Sequence, residues 1–468
     1  MFKLEEIVRA TRGTVIGKGE GEIRGISTDS RTVSADQLFI ALKGDRFNGH
    51  DFIQAAAGRG ARFFLVEAGF HPDTTVPPGV VIITVTDTLR ALGDLATFHR
   101  SRFPLPIVAV TGSNGKTTTK EMLALILASA GPGLKTRGNL NNLIGLPQML
   151  FQLNENHRWA VLEMGMSELG EIDRLAEIAK PDIGIITNAF PAHLETLGTV
   201  EAVARAKGEL FLRLTEGGYA VYNADDPLIS LAPSPDLVKR VSFGLGRADV
   251  SAETIQCHGR KGQSFSLSLP SGSEKVTFKA FGLHNVYNAL AAAAAAFAMG
   301  IPPKAIREGL EAFLPYDKRF SLEELGSVTL IDDSYNANPA SMRAALLTLR
   351  DIREQNRGIA VLGDMLELGA GGADAHLELG RLAASCVDRL YVMGEMAAEV
   401  VRGAISGGLS PSAVVAARNH AELLADLLGS TNYGDYILIK GSRGMRMEAV
   451  AEGIRNAQNS FVSKGAAA

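Results

Sequence analysis

The sequence predicts a three-domain α/β protein in which two of the domains are doubly wound, mostly parallel sheets. Apolar, strand-like runs alternate with helical segments from residue 107 onward, and a second alternation of the same kind begins at residue 328. The chain has 468 residues, and at roughly 100 to 200 residues per domain this length corresponds to about three domains. We therefore expect a smaller α/β domain ahead of the two doubly wound domains.

The N-terminal hundred residues mix short apolar runs, such as 37–42 and 61–66, with glycine turns. An amphipathic helical stretch over 88–100 ends this region. Two prolines within 103–106 then interrupt the pattern. We place the first boundary there, so that the N-terminal domain covers residues 1–102.

The central domain, residues 103–316, is predicted as a mostly parallel sheet with helices on its faces. Its expected strands are 107–110, 160–163, 183–187 and 219–222. Its expected helices begin at Lys116, Gly170 and Val200. An alanine-rich run over 290–297 is shorter than the ~20 residues that a membrane span needs. We therefore predict that it is a close-packed helix.

The C-terminal domain, residues 317–468, is predicted as a Rossmann-like doubly wound sheet, joined to the central domain within 313–319. Its expected strands are 328–331, 359–362, 390–392 and 436–439, and its helices begin near Ala340, Asp374, Met396 and Ala421. Ligands of such sheets bind at the carboxyl ends of the strands. The residues that follow each strand are therefore the candidate site residues.

Composition excludes several classes of function. The chain is 46% hydrophobic and 21% charged with a net charge of -4, which is typical of a soluble globular protein and leaves no basic surface for nucleic acid. It has two cysteines, Cys257 and Cys386, so a disulfide framework or a cysteine zinc site is not expected. Without a signal-peptide pattern at the start, we expect a cytoplasmic protein that neither binds nucleic acid nor inserts into a membrane.

A phosphate-binding loop is the strongest motif in the chain. An apolar strand runs into a glycine turn and then a Lys-Thr pair that opens a helix, which predicts ATP or GTP binding. Gly112 and Gly115 allow main-chain N–H groups to approach phosphate oxygens, Lys116 supplies a charge, and Thr117 can bind Mg²⁺. A tight turn with no ligand is the alternative. The predicted nucleotide-contacting residues of the loop are Thr111, Gly112, Ser113, Asn114, Gly115, Lys116, Thr117 and Thr118.

Polar residues follow other strands of the central domain. Glu163 ends a strand and is a candidate Mg²⁺ ligand if that strand neighbours the phosphate-loop strand. Asn188 and His193 follow the next strand, although a single histidine is often structural. Lys207 lies in a helical segment and by itself would be interpreted as a surface lysine. The acidic pair at 225–226 is equally consistent with a loop cap and with a site.

Two further groups of polar residues suggest ligand contacts. Asn285 and Asn288 lie one helical turn apart and could face a nucleotide base, or cap the helix. In the last domain, the strand ends over 331–339, 363–369 and 440–448 combine carboxylates, amides, an aromatic ring and cations. Such a set could bind the carboxylate and ammonium of a zwitterion. Ordinary surface charge is the alternative for each residue taken singly.

Together these motifs resemble the Mur ligase family, the ATP-dependent amide-forming enzymes of peptidoglycan synthesis, over essentially the whole chain. The phosphate loop resembles the short form found in that family. Four segments look most like the member that adds D-alanyl-D-alanine to UDP-N-acetylmuramoyl-tripeptide: 138–147, 332–339, 363–369 and 440–448. Three N-terminal segments resemble a uridine-nucleotide-binding domain: 27–31, 42–44 and 48–50.

The resemblance implies a reaction and a catalytic set. ATP phosphorylates the terminal carboxylate of the tripeptide, and the amine of D-alanyl-D-alanine attacks the acyl phosphate, in the last cytoplasmic step of pentapeptide-precursor synthesis. ATP and one or two Mg²⁺ ions are the implied cofactors, and Lys207 matches a lysine that the family carbamoylates. The implied metal ligands are Thr117, Glu163, His193 and Lys207. The implied catalytic residues are Lys116, Glu163, His193, Lys207 and Arg319.

The resemblance also implies the binding residues. Besides the phosphate loop, those for ATP are Asn285, Asn288, Arg319, Asp333, Tyr335 and Asn338. Those for the two other substrates are Ser30, Arg31, Lys43, Gly44, Asn48, Asn139, Asn142, Asn336, Lys440 and Ser442. We expect a monomer. Two alternatives stay open, namely a different ligase of the family, either diamino-acid-adding or folate-polyglutamylating, and a phosphate-loop nucleotide switch.

Overall fold

The computed structural model describes residues 2–17, 21–44, 47–70, 79–316 and 318–465, with residues 459–465 described by their backbone only. Over these ranges the chain forms three separate sheets, which follow one another along the sequence. Each is mostly parallel, and the predicted three-domain α/β fold is thereby confirmed. Asp317, where we place the start of the C-terminal domain, lies outside the described residues.

The N-terminal sheet has the order β1-β5-β4-β3-β2 within the described residues. Its strands are β1 (Thr14–Ile16), β2 (Gly25–Ser27), β3 (Gln37–Ile40), β4 (Phe63–Glu67) and β5 (Val81–Val85), and its helices are α1 (Leu4–Thr11), α2 (Ile53–Gly58) and α3 (Thr88–Arg100). All neighbouring strands pair in parallel, except that β1 pairs with β5 in the antiparallel direction. Helix α3 covers the predicted range 88–100.

The central sheet has the order β14-β13-β12-β11-β10-β9-β6-β8-β7 over the described part of the chain. Its strands are β6 (Ile107–Thr111), β7 (Gly133–Lys135), β8 (Trp159–Glu163), β9 (Ile183–Ile186), β10 (Tyr219–Asn223), β11 (Lys239–Gly244), β12 (Val250–Cys257), β13 (Gln263–Leu269) and β14 (Gly272–Phe278). It is parallel from β7 to β12, and β12, β13 and β14 extend it antiparallel. The sequence does not predict this antiparallel extension.

The helices of the central domain pack on both faces of its sheet. They are α4 (Lys116–Leu127), α5 (Gly145–Leu150), α6 (Glu171–Ala179), α7 (Leu194–Leu197), α8 (Val200–Leu212), α9 (Pro227–Ser230), α10 (Leu283–Ala298) and α11 (Pro303–Glu311). The alanines of α10 are buried in one hydrophobic cluster with α4, as expected for a close-packed helix. Among the described residues, no helix is long and apolar enough to cross a membrane.

The C-terminal sheet has the order β15-β16-β20-β17-β18-β19, again counted over the described residues. Its strands are β15 (Ser321–Leu325), β16 (Val328–Asp333), β17 (Gly358–Gly363), β18 (Arg389–Met393), β19 (Val414–Ala416) and β20 (Tyr436–Lys440). Its helices are α12 (Pro339–Ile352), α13 (Gly372–Ala384), α14 (Ala397–Ser406), α15 (His420–Ser430) and α16 (Glu448–Gly465). Every neighbouring pair is parallel except β15 and β16.

Strand order brings the predicted site residues of the central domain together. Strand β6, which precedes the phosphate loop, lies between β9 and β8, and all three are parallel. Val110 is the register partner of Glu163, and Thr111 that of Ile186. The carboxyl ends of the three strands therefore meet at one edge of the sheet, which places Glu163 beside the phosphate loop as predicted.

A buried histidine lies where the N-terminal and central domains meet. The His99 ring, near the end of α3, has its centroid 5.5 Å from Phe2, 5.1 Å from Phe103 and 5.9 Å from Phe151. Its Nε2 donates to the carbonyl of Leu153 at 3.1 Å, and Nδ1 has no hydrogen-bond partner among the described residues. Burial, and secondarily the charge of Arg102, lowers the pKa of His99 below its ordinary value.

This histidine makes the stability of the domain junction depend on pH. The folded-state pKa is lowered and the unfolded one is near 6.5, so the unfolded chain binds the proton first. The stabilising contribution of the neutral ring is complete above about pH 6.5 and is lost as pH falls, with a slope of at most ~1.4 kcal/mol per pH unit. We expect thermal unfolding at pH 7.5 and 5.5 to show a larger decrease in melting temperature for the wild type than for His99→Gln. An equal decrease in melting temperature for the two proteins would show that His99 does not cause the pH dependence.

Candidate active site

The phosphate loop leaves the carboxyl end of β6 and leads directly into α4. Gly112 and Gly115 have φ values of 149° and 85°. A Cβ atom on Gly112 would lie 1.8 Å from Thr187 Oγ1, and one on Gly115 would lie 2.1 Å from Asn288 Oδ1. Only glycine fits at either position, both for conformation and for space. The loop therefore has the tight strand-to-helix turn by which main-chain N–H groups reach phosphate oxygens.

A cavity of about 1150 Å³ extends from this loop to the C-terminal domain. It brings together most of the predicted site residues, although they come from widely separated parts of the chain. Besides Thr111 to Thr118, the predicted residues that line it are Asn139, Asn142, Glu163, His193, Lys207, Asn285, Asn288, Arg319, Asp333, Tyr335, Asn336, Asn338 and Lys440.

Lys116 lies over the phosphate loop from the first position of α4. Its Nζ donates to the carbonyl oxygen of Gly112 at 2.7 Å. Burial and the nearby charge of Arg319 lower the pKa of Lys116, while Glu163 opposes this shift. The lysine thus places its amine beside the main chain that would cradle phosphate, where a bound anion would favour the charged form.

Glu163 is buried beside the loop and is held at both carboxylate oxygens. The Thr117 hydroxyl donates to Oε2 at 2.9 Å, and the Asn141 amide donates to Oε1 at 2.9 Å. The main-chain N–H of Glu163 donates to Thr136 Oγ1 at 2.9 Å. The two predicted oxygen ligands, Thr117 and Glu163, are therefore in direct contact at the edge of the phosphate loop.

Sequence reasoning missed Lys120, which is 1% exposed. Its Nζ donates to the carbonyl of Thr136 at 2.7 Å and lies 3.1 Å from Glu121 and 3.9 Å from Glu163. It follows Lys116 by four residues, a spacing that places both on one face of α4 and could have indicated it. Lys120 joins α4 to the strand ends that carry Thr136 and Glu163.

Lys207 points into the cavity from α8, so the surface-lysine interpretation is wrong. It is 2% exposed, and no described residue forms a hydrogen bond or ion pair with its amine. Burial, with a contribution from Lys116, lowers its pKa well below the ordinary value. A lysine in this environment has no compensation for a positive charge.

His193 lies at the junction between the central and C-terminal domains. Its Nδ1 is 2.7 Å from the Glu367 carboxylate of the C-terminal domain. Burial lowers the pKa of His193, the charges of Lys207 and Lys116 lower it further, and Glu367 opposes them. The ring therefore lies within electrostatic range of both cavity lysines. Glu367 lies within the candidate segment 363–369, although the site predictions did not name it individually.

The C-terminal domain contacts the phosphate loop directly. The Arg319 guanidinium stacks on the Tyr335 ring, with its central carbon 3.8 Å from the ring centroid, and donates to Thr117 Oγ1 at 3.4 Å. Asn338 and Asn114 exchange two amide hydrogen bonds, of 2.8 and 3.1 Å. Arg319, Tyr335 and Asn338 are therefore close to the phosphate loop, and their contacts with a nucleotide stay predictions.

Polar residues of the C-terminal domain that were predicted to bind ligands are partly paired with one another. Lys440 Nζ donates to Asp333 Oδ2 at 2.6 Å and to the carbonyl of Asn336 at 2.9 Å. Ser442 Oγ accepts from the main-chain N–H of Leu366 at 2.9 Å. These residues hold the strand ends of the C-terminal domain in place, and their contact with a substrate stays a prediction.

Asn285 and Asn288 also bond to each other. Asn288 donates to Asn285 Oδ1 at 3.0 Å, and Asn285 donates to the carbonyl of Phe281 at 2.8 Å. Asn288 also packs against Gly115 of the phosphate loop, and the contact of the two asparagines with a nucleotide base stays a prediction.

The predicted residues of the N-terminal domain lie outside the large cavity as far as the described residues define it. Arg31 forms an ion pair with Asp29 at 2.8 Å, and Asn48 Oδ1 accepts from the His50 main chain at 3.2 Å. Gln148 of α5 donates to Thr28 at 3.2 Å. Helix α5 thus connects the loop that carries Ser30 and Arg31 with the cavity residues Asn139 and Asn142. Lys43 and Gly44 lie in a neighbouring loop, where the main chains of Lys43 and Asn48 form an isolated antiparallel β-bridge.

The residues around Glu163 suit a magnesium ion. The described residues contain no group of three His, Cys, Asp or Glu side chains that could hold a metal. Mg²⁺ needs no such group, since it keeps several waters and binds one or two carboxylates together with substrate phosphates. The Thr117 hydroxyl and Glu163 carboxylate, fixed beside the phosphate loop, fit that mode of binding.

Protein-family models match the chain in three consecutive parts. They are "Mur ligase family, catalytic domain" over residues 22–100, "Mur ligase middle domain" over 110–296 and "Mur ligase, glutamate ligase domain" over 318–443.

Individual relatives extend the similarity over nearly the full length. The UDP-N-acetylmuramoyl-tripeptide–D-alanyl-D-alanine ligase of Bacillus subtilis (strain 168) is 36% identical, covering 92% of this chain and 93% of that protein. The Escherichia coli (strain K12) enzyme of the same name is 36% identical, covering 93% and 96%. Solved structures similar to this chain include MurF from Acinetobacter baumannii (TM-score 0.88, 34% identity, covering 97% of this chain and 99% of that one) and MurF from Thermotoga maritima with ADP (TM-score 0.83, 27% identity, covering 94% and 99%).

Proposed function

The chain belongs to the Mur ligase family, and we propose that it is the ATP-dependent, ADP-forming ligase that adds D-alanyl-D-alanine to UDP-N-acetylmuramoyl-tripeptide. Relatives of that name match it over more than nine-tenths of its length. The observation that carries the proposal is the cavity in which the phosphate loop of the central domain faces the polar strand ends of the C-terminal domain. Such an arrangement lets a nucleotide and a second substrate meet between two domains.

The reaction has two steps. In the first, a carboxylate oxygen of the tripeptide bonds to the γ-phosphorus of ATP, the bond from that phosphorus to the β–γ bridging oxygen breaks, and ADP leaves. In the second, the amine of D-alanyl-D-alanine attacks the carbonyl carbon of the acyl phosphate. Inorganic phosphate leaves, the nitrogen loses a proton, and a peptide bond remains. The acyl phosphate must meet the amine before water does, which requires a closed cavity.

In the first step two anions, the carboxylate and the γ-phosphate, approach each other and repel. The cavity contains residues that can reduce this repulsion. Lys116 and Arg319, one from each domain, supply positive charge at the phosphate loop. Bound Mg²⁺ supplies charge neutralisation at the phosphates. Thr117 and Glu163 would hold it, because their oxygens already face the loop.

We further propose that Lys207 is carbamoylated. A buried amine with no acidic partner among the described residues is costly as an ammonium ion. Reaction of the neutral amine with CO₂ forms an N–C bond, releases one proton and leaves an anionic carbamate. The carbamate would place oxygen ligands within electrostatic range of Lys116 and His193, where they could hold a second cation.

The domains divide the substrates between them. We propose the boundaries 102/103 and 316/317, with the uridine nucleotide on the N-terminal domain and D-alanyl-D-alanine on the C-terminal domain. Contact of α5 with Thr28 supports a path from the first domain into the cavity. We also propose a cytoplasmic monomer, because its substrate ATP is a cytoplasmic metabolite and one chain supplies all the site residues. Light scattering would test the oligomeric state.

ADP release is the direct test of the function. Purified protein is incubated with ATP, Mg²⁺, D-alanyl-D-alanine and the UDP-muramoyl tripeptide ending in either lysine or diaminopimelate, and the product is identified by mass. We expect ADP release that requires both added substrates. ADP release with neither substrate would indicate a nucleotide switch, and a preference for a single amino acid as acceptor would indicate a different ligase of the family.

Replacing Glu163 by glutamine tests the magnesium site. The amide keeps an acceptor for Thr117 but removes the charge, so we expect the Mg²⁺ concentration for half-maximal activity to rise roughly tenfold to hundredfold, the value of one charge-assisted contact. Glu168→Gln, an exposed position in the loop after β8, is the matched control. An unchanged Mg²⁺ titration with normal turnover would leave Glu163 without a role in the metal site.

A further inference from the structure

Two loops from different domains meet at residues with an unusual backbone. His193 of the central domain has φ 53° and Glu367 of the C-terminal domain has φ 63°, both in the left-handed region. Residues with long side chains seldom adopt this conformation, and where they do, the surrounding structure has to impose it. That two such residues are in direct contact indicates a junction with a specific geometry.

Glu367 binds the central domain through its main chain as well as its side chain. Its carbonyl oxygen accepts from the N–H groups of Leu194 and Glu195, at 3.1 and 3.4 Å. Its carboxylate Oε2 lies 2.7 Å from His193 Nδ1. The left-handed conformation of Glu367 allows its carbonyl and its carboxylate to reach the same short segment. The contact therefore fixes both the position and the rotation of the His193 ring.

The loop that carries Glu367 is fixed by hydrogen bonds to other residues of the C-terminal domain. The buried His376 accepts from the N–H of Met365 through Nε2 at 2.9 Å and donates from Nδ1 to the Gly372 carbonyl at 2.7 Å. Ser442 accepts from the N–H of Leu366 at 2.9 Å. Two main-chain groups immediately before Glu367 are thus fixed by the C-terminal domain, so Glu367 is presented to His193 in one place.

The hydrogen bond to Glu367 also selects a tautomer of His193. A carboxylate can only accept, so Nδ1 carries the hydrogen, and in the neutral ring Nε2 then keeps a free electron pair. Histidines that bind metals commonly donate their other nitrogen to a carboxylate in this way, which orients the ring and raises its basicity. His193 lines the cavity together with Lys116 and Lys207, lies within electrostatic range of both lysines, and contacts Glu367 through Nδ1.

We propose that Glu367 is a positioning residue that presents Nε2 of His193 as an electron-pair donor to a divalent cation in the cavity. The proposal rests on the ligase function above and deepens it, since a residue of the C-terminal domain completes a cation site of the central domain. The site is then fully assembled only when the loop 363–369, which also belongs to the proposed D-alanyl-D-alanine region, is packed against the segment 190–198, which includes α7.

Manganese binding tests the proposal without turnover. Mn²⁺ bound to the protein in the presence of ADP is measured by electron paramagnetic resonance for wild type, Glu367→Asn, Glu367→Gln and the control Glu195→Ala. Asparagine tolerates the left-handed backbone but is too short to reach His193, so we expect roughly tenfold weaker binding. Glutamine still accepts from Nδ1 and should bind closer to the wild type. Glu195 is exposed at the same junction, and its replacement should have no effect.

Nitrogen chemical shifts of ¹⁵N-labelled histidine supply the second readout, with His193 assigned from a His193→Gln sample. We expect a neutral ring protonated at Nδ1 in the wild type and loss of that single tautomer in Glu367→Asn, with thermal unfolding confirming that the variant is folded. A wild-type ring protonated at Nε2 or at both nitrogens, or unchanged Mn²⁺ binding in folded Glu367→Asn, would overturn the proposal. Failure of the ligase function would appear separately, as absent substrate-dependent ADP release in the wild type.

Discussion

Replacing Lys116 by alanine is expected to abolish ligation and leave the fold intact. The lysine contacts only the Gly112 carbonyl as a hydrogen-bond acceptor within the described residues, so its removal costs little packing. Its charge acts on the phosphates as negative charge moves between ATP and the tripeptide carboxylate. Loss of one such contact commonly costs ~3 kcal/mol, a decrease in rate of roughly a hundredfold or more.

The measurement is the rate of ADP release at saturating substrates, together with a thermal melt. Lys275→Ala, an exposed lysine on β14 of the same domain, controls for the loss of one positive charge and should keep the wild-type rate. An unchanged kcat in Lys116→Ala would show that the loop does not act on transferred phosphate. A lowered melting temperature with a proportional loss of activity would instead indicate a structural role.

The strands that surround the site were predictable because they are buried on both faces. Every residue of β6 and β8 is buried, and each strand appears in the sequence as an unbroken apolar run, at 107–110 and 159–162. Strand β12 (Val250–Cys257) lies towards the edge of the sheet and is largely exposed in its second half, so it lacks such a run. The antiparallel end of the central sheet was missed for this reason.

The order of the strands in the C-terminal sheet was a second feature that the sequence did not predict. Asp333 and Lys440 both follow apolar strands and were predicted to bind ligands, yet they are register partners that bond to each other. Their pairing depends on β20 being inserted between β16 and β17, and nothing local in the sequence specifies that order. The sequence therefore predicts that charged residues lie together at the strand ends. It does not predict which of these residues form ion pairs with one another.

Contacts between domains were a third feature that the sequence did not predict. Asn114 and Asn338 are 224 positions apart, and His193 and Glu367 are 174 apart. Motif spacing indicated that Asn114, Asn338 and His193 belong to a site, because each follows a strand or lies in the phosphate loop. Glu367 belongs to the segment 363–369 that was predicted to bind a zwitterion, but its contact with His193 was not predicted, because that contact depends on how two domains pack together.

Replacing Lys207 by alanine is expected to reduce activity nearly as much as replacing Lys116, and for a different reason. If Lys207 is a carbamate, its loss removes a negative oxygen ligand from the cavity, and the vacated space beside Lys116 can accept a small carboxylate. Formate or acetate should therefore restore part of the activity of Lys207→Ala. An unmodified lysine acting as a cation would instead be replaced by small amines.

Bicarbonate provides an independent measurement on the wild-type protein. Because the carbamate forms reversibly from the amine and CO₂, activity should fall in carefully degassed buffer and return when bicarbonate is added, whereas Lys207→Ala rescued by formate should not respond. A mass increase on the peptide that contains Lys207, trapped by methylation, would identify the carbamate directly. Full activity of Lys207→Ala, or rescue by amines and not by carboxylates, would exclude the carbamate. The buried amine of α8 would then need another explanation for its position, since no acidic group among the described residues compensates its charge.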